Sequence, residues 1–174
     1  IAHIGENMTL RRAVKLSVED GVVATYIHNA AADGLGKLGV LVALKSTGNK
    51  DALTAIGRQV AMHIAASKPQ FVSEEQVPSD IIEKEKDIFR ALSLESGKPA
   101  DIIEKMITGQ VRKFLAEVTL LGQPFIKDDK VTVGGLVSKK GNKAIRFIRF
   151  EVGEGIEKKE ENFAEEVMAQ VKGS

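Results

Sequence analysis

The stretch Leu38 to Leu44, LGVLVAL, carries apolar side chains or glycine at every position. A strand that shows one face to water alternates apolar and polar residues, and this one does not. If it is a strand, both its faces must be covered, so it belongs in the middle of a sheet with material above and below. It is also the longest apolar run in the chain, far short of the roughly 20 residues needed to cross a bilayer. No membrane contact is therefore expected.

Two neighbours can flank that strand. Val22 to His28, VVATYIH, is β-branched and aromatic. In Met8 to Leu16, MTLRRAVKL, Met8, Leu10, Val14 and Leu16 fall on one face with Thr9, Arg11 and Lys15 on the other, the period of a half-covered strand. The small, glycine-containing stretch NAAADGLGK, residues 29–37, reads as a link, so the simplest topology for the three strands is an antiparallel meander.

Beyond Gly48-Asn49 the period changes. Asn49 is placed to cap a helix, and in residues 50–67 Leu53, Ile56, Val60 and Ile64 recur on one stripe. Ala55, Met62 and Ala66 lie opposite, which predicts cover on two sides, and Lys68-Pro69 ends the helix. His63 sits at the edge of the stripe and reads as a satisfied interior residue. Residues 79–121 show no strand pattern. Ile81, Ile88 and Leu92 line one predicted helix, and Ile103, Met106, Val111, Phe114 and Val118 line a second. Ser96-Gly97-Lys98-Pro99 between them suits a helix end followed by a new first turn. The reading is an inserted antiparallel helical hairpin. Gly122-Gln123-Pro124-Phe125 is a turn, residues 131–139 a short amphipathic piece, residues 144–152 a strand after Gly141-Asn142, and residues 159–171 a closing helix. The fold class is therefore α+β: an antiparallel sheet of three or more strands packed with helices, with the hairpin inserted.

The chemistry suggested by composition is sparse. Lys and Arg number 25 against 24 Asp and Glu, so no net field gathers a nucleic acid. The absence of cysteine excludes disulfides and thiolate sites. The opening IAHIGENM has neither an initiator Met nor the basic-then-apolar pattern of a signal peptide, so Ile1 is not expected to be the natural start. Gly153-Glu154-Gly155 after an apolar strand looks like a phosphate loop, but a dinucleotide fingerprint needs glycine where Lys158 stands, and Glu154, Glu157, Glu160 and Glu161 repel an anion. In IRFIRF, Phe147 and Phe150 are an odd number apart and point to opposite faces, so they cannot form one base-stacking platform; Ile145 with Phe147 on one face and Ile148 with Phe150 on the other, all packing, is the reading. His3, His28 and His63 share no metal-ligand or triad spacing. Tyr26 and His28 share a strand face, where His28 by itself reads as structural or solvent-facing. On the last helix Phe163, Ala164, Val167, Met168 and Val171 occupy one arc, which either folds back on the domain or enters a groove on a partner.

Six stretches in order resemble the elongation factor Ts family: IGENMTLRR (4–12), YIHNAAADGLGKLGVLVALK (26–45), AMHIAASKPQFV (61–72), ESGKPADIIEKMITG (95–109), LGQPFIKD (121–128) and FIRFEVGEGIEKKEENFAEEV (147–167). The resemblance implies a guanine-nucleotide exchange factor that binds elongation factor Tu and acts by binding, not as an enzyme, with no cofactor and no metal. It implies the C-terminal half of the family's core (1–78 and 122–155), the helical hairpin (79–121) and a C-terminal helical module (156–174). By that match His28, with Ile4 and Gly5 nearby, contacts the third domain of elongation factor Tu. Phe163, Val167 and Met168 are candidate contacts with its GTP-binding domain. The family's Thr-Asp-Phe-Val motif, whose Asp and Phe push into the partner, does not occur in the sequence. The expectation is an engineered or proteolytic piece that docks without the expelling wedge. A bacterial cytoplasm or an organellar matrix is the expected location. The alternative is a homodimerisation or structural module.

Overall fold

A computed structural model describes residues 5, 9–94, 97–139 and 141–156. A three-stranded antiparallel sheet is formed by β1 (Gly21–Ala32), β2 (Leu35–Lys45) and β5 (Lys143–Glu151), with β2 in the middle as its two apolar faces require. Helix α1 (Lys50–Ser67) lies on one face, against β1 and β2. Helices α2 (Ser79–Leu94) and α3 (Ala100–Val118) pack on each other. A two-stranded ribbon, β3 (Pro124–Phe125) with β4 (Asp128–Thr132), and the short α4 (Val133–Ser138) lead back to β5. This is the expected α+β arrangement.

The core is built from the inward positions of β2, Leu38, Val40, Val42 and Leu44, against Leu53, Val60 and Ile64 of α1, closed by Leu120, Phe125, Val133 and Val137. Each of these side chains leaves water almost completely, a gain of about 1.5 to 3 kcal/mol apiece for the larger ones. The opposite face of β2 is covered more thinly. Ile27, Leu41, Ile148 and Phe150 line a cleft together with Arg12, Ala13 and Val14 of the extended segment, with the Arg12 guanidinium 4.5 Å from the Phe150 ring centre. Phe147 instead packs on the core, so the two phenylalanines do face opposite ways.

Helix α1 forms where its local signals place it. Asn49 Oδ1 accepts the Asp51 and Ala52 N–H groups at 2.8 and 3.0 Å, and Lys68, left-handed at φ 49°, ends the helix by donating its N–H to Ile64. The helix is covered on one side only: Ala55 and Ala66 are exposed and Met62 is half-buried, contrary to the expected double cover.

Four further expectations are corrected. Residues 9–20 form no strand, and Leu10 is 85% exposed. Alternation shows which side chains share a face, but a ladder needs a partner, and among the described residues this segment has none. The predicted link at residues 29–37 is the end of a hairpin: β1 continues to Ala32, turns at Asp33-Gly34 with Gly34 at φ 71°, and returns as β2. The sheet is thus a hairpin joined late by β5, with everything from α1 to α4 between. In β5 a register shift at Ala144/Arg146 inserts Ile145, so Ala144 and Phe147 both reach the core while Ile145 is exposed. On α2 the packed stripe is Ile82 and Phe89, which with Leu115 surround Ile103, Ile107 and Val111. Ile88 and Leu92 face outward at 53% and 63% exposure, and Met106 and Phe114 are flank residues. Residues 81 and 88 have the same spacing as 82 and 89, and the larger Phe89 decides which stripe turns inward.

Candidate functional site

His28 stands on the α1 side of the sheet near its exposed end. Cross-strand pairing aligns His28 with Leu38 and Glu151 in one row and Tyr26 with Val40 and Arg149 in the row beneath. Tyr26 Oη lies 3.0 Å from His28 Nδ1, so the phenol fixes the imidazole from one side. Immediately after it, Asn29 adopts a left-handed φ of 50°, and the ladder to β2 keeps its register to Ala30 and shifts between Ala30 and Ala32; the His28 side chain is exposed. Met62, Ala65 and Ala66 of α1 and Ile126 of the β3–β4 turn complete a cleft of about 220 Å³ with Tyr26 and His28. Ile126 is 47% exposed although it is apolar, so the cleft presents a greasy wall opposite an imidazole.

At the far end of the same rows Arg149 is largely buried. Its two terminal nitrogens donate to Glu151 at 2.6 Å and Glu154 at 2.9 Å, and Lys68 Nζ lies 3.7 Å from Glu151. The Arg149 hydrogen bond is the main reason the Glu151 carboxyl is held below the usual carboxylate range, with Lys68 assisting. Gly153 and Gly155 are left-handed at φ 82° and 70°, and Arg11 donates to the Glu154 carbonyl. This corner turns the chain and engages its acid in an internal ion pair, in keeping with the sequence argument against a phosphate loop.

Below the cleft lies a polar network that periodicity gave no means of finding. His63 is fully buried, with Nε2 2.7 Å from Gln123 Oε1 and Nδ1 3.3 Å from the Ile126 amide nitrogen. A backbone amide can only donate, so Nδ1 is the bare nitrogen and Nε2 carries the proton, which it donates to Gln123. The Gln123 amide nitrogen then faces the Glu117 carbonyl at 2.6 Å and the Ser67 carbonyl at 3.5 Å, both acceptors. Every member has a complementary partner. Burial lowers the His63 pKa, opposed in part by the Gln123 hydrogen bond.

The structure places the other sequence-predicted site residues as follows. Gly5 is exposed at φ 71°, with no described atom within 4 Å of where a Cβ would stand. Ile4, Phe163, Val167 and Met168 lie outside the described residues, as does the predicted closing helix. Sequence reasoning missed Met62, Ile126 and Gln123. No local pattern marked them, because their meeting with His63 and His28 is made by the fold.

Among the described residues no three His, Cys, Asp or Glu side chains are grouped to hold a metal, and no helix is long and apolar enough to cross a membrane. The arrangement around His28 suits recognition of another surface by shape, with one imidazole, one apolar wall and a flanking charge cluster. The family described as elongation factor TS matches residues 1–154. Elongation factor Ts of Bartonella henselae is 57% identical and that of Rhizobium etli strain CIAT 652 is 58% identical, each over 99% of this chain. The chain belongs to the elongation factor Ts family. It spans 58% of the length of these curated relatives.

Proposed function

We propose that this chain is the docking portion of a guanine-nucleotide exchange factor for elongation factor Tu. The observation that carries the reading is the open His28 ring, braced by Tyr26 above an apolar cleft, at the position where the family resemblance puts a contact with the partner's third domain. Residues 1–78 and 122–155 form the core half that docks, residues 79–121 an inserted helical hairpin, and residues 156–174 a module whose Phe163, Val167 and Met168 reach the GTP-binding domain. Two apolar clusters, one under the sheet and one between α2 and α3, support that division. Ile4 and Gly5 belong to the same docking zone as His28. The protein works in a bacterial cytoplasm or an organellar matrix, without cofactor or metal.

Exchange of this kind needs no acid, base or nucleophile. A surface that fits the nucleotide-free partner better than the loaded one must weaken nucleotide binding by the same factor. Two contact zones on one chain raise affinity further, because the second contact becomes intramolecular. Residues 1–174 contain no Thr-Asp-Phe-Val wedge, so this portion tested by itself is expected to dock without full expulsion. In stopped-flow release of a fluorescent GDP from elongation factor Tu, the protein should bind yet accelerate release at least about tenfold less than a full-length relative, a barrier difference of about 1.4 kcal/mol. Acceleration equal to the full-length factor would overturn the wedge argument, and no binding at all would overturn the docking.

His28→Ala tests the site directly. Removal of a central interface side chain costs about 1 to 2 kcal/mol of binding, roughly five- to thirtyfold in affinity. The melting temperature should be unmoved, since His28 is exposed. Calorimetric titration that finds unchanged affinity removes His28 from the interface.

A further inference from the structure

We propose that His63 is a positioning residue for the docking cleft, holding its Ile126 wall in place from beneath through the Nδ1 acceptor while Nε2–H is tied to Gln123. The inference rests on the docking reading for its functional consequence, but its structural part stands on the unbound protein. Ile126 belongs to a turn that joins a two-residue strand to β4, and that ribbon is too short to fix its own conformation. What anchors the turn is the buried imidazole, against which Phe125 also packs with ring centres 6.0 Å apart. Gln123 in turn accepts from His63 and donates to the last turns of α3 and α1, at Glu117 and Ser67. One imidazole therefore registers three things against each other: the exit of α1, the exit of α3 and the exposed side chain that faces His28 across the cleft.

The two hydrogen bonds of His63 can be separated. In His63→Asn the side-chain oxygen occupies the place of Nδ1 and still accepts from Ile126, while the link to Gln123 is lost. In His63→Gln the terminal amide takes the place of Nε2, keeps Gln123 and loses Ile126. Both variants lose one bond and the ring, so a purely structural role predicts similar effects from each. A positioning role predicts that His63→Gln lowers the exchange protection of the Ile126 amide about tenfold or more, the loss of one hydrogen bond, and weakens elongation factor Tu binding about five- to tenfold. His63→Asn should stay within about twofold of the unaltered protein in both respects.

Equal loss or equal retention of Ile126 protection in the two variants would overturn the proposal. A split in protection with unaltered affinity would break the connection between turn and docking; if His28→Ala also bound normally, the docking reading itself would be at fault. Should either variant fail to fold, ring-nitrogen NMR of the unaltered protein decides. Nδ1 must be the unprotonated nitrogen, with a through-bond coupling to the Ile126 N–H, and an unprotonated Nε2 would sink the proposal.

Discussion

Replacing Gly57 with valine is expected to cost about 3 kcal/mol or more of stability, and replacing it with alanine about 1 to 2, although alanine is the better helix former. Gly57 lies on the buried face of α1 between Leu53 and Val60. In an exposed helix the change to alanine would gain about 1 kcal/mol. Here a Cβ at position 57 would stand 2.6 Å from the Ala24 Cβ and 3.3 Å from Leu44 Cδ1. Ala24 is held in the ladder opposite Val42, so the strand cannot give way and the helix must lift from the sheet, loosening contacts along its length. The clash is specific enough to be reversed from the other side. Ala24→Gly combined with Gly57→Ala transfers the methyl group from strand to helix, and the pair should recover most of the loss. Urea denaturation of the three variants measures this directly. A Gly57→Ala protein as stable as the original would mean that the helix-to-sheet distance is not set by this contact.

That contact illustrates which parts of the fold can be read from the chain and which cannot. Helix α1 was legible from its ends inward because its signals are local: Asn49 supplies the cap, Leu53, Val60 and Ile64 the stripe, and Lys68-Pro69 the stop. The central place of β2 followed from its two apolar faces. The failures all involve information held elsewhere in the chain. Residues 9–16 alternate as a strand would, yet no strand pairs with them in a ladder among the described residues. The bulge at Ile145 depends on its pairing with β2, about a hundred residues earlier, and flips the face on which Ala144 is found. On α2, two stripes of equal spacing competed, and periodicity alone could not rank them; the larger Phe89 turned its stripe toward Ile103, Ile107 and Val111 of the facing helix and left Ile88 outside. The site divides in the same way. Tyr26 and His28 share a face by strand geometry alone, but His28 gained a role only through resemblance to a family. Gln123 and Ile126 arrive at His63 across 60 and 63 residues, and nothing near them in sequence announces the meeting.

Stability should fall as the pH drops below about 6.5, the ordinary value for histidine, before the carboxylates begin to protonate. The unfolded chain takes up a proton on His63 near that pH. The folded chain does so only at a lower pH, because burial depresses the pKa and because both ring nitrogens are committed. A proton on Nδ1 would set its N–H against the N–H of Ile126, and nothing else in the network could accept it. Over this window the unfolded state therefore binds more protons, so stability is complete above pH 6.5 and declines on acidification, with a limiting slope of about 1.4 kcal/mol per pH unit for one proton. Glu151 is also depressed by its bond to Arg149, but its unfolded value of 4.5 places its contribution lower on the scale. The two windows separate the two groups. Urea unfolding between pH 7 and 5 should show the slope in the unaltered protein and lose it in His63→Asn, which has no titrating group at that position. A slope that persists in His63→Asn would assign the acid sensitivity to another group and would mean that the network tolerates the imidazolium.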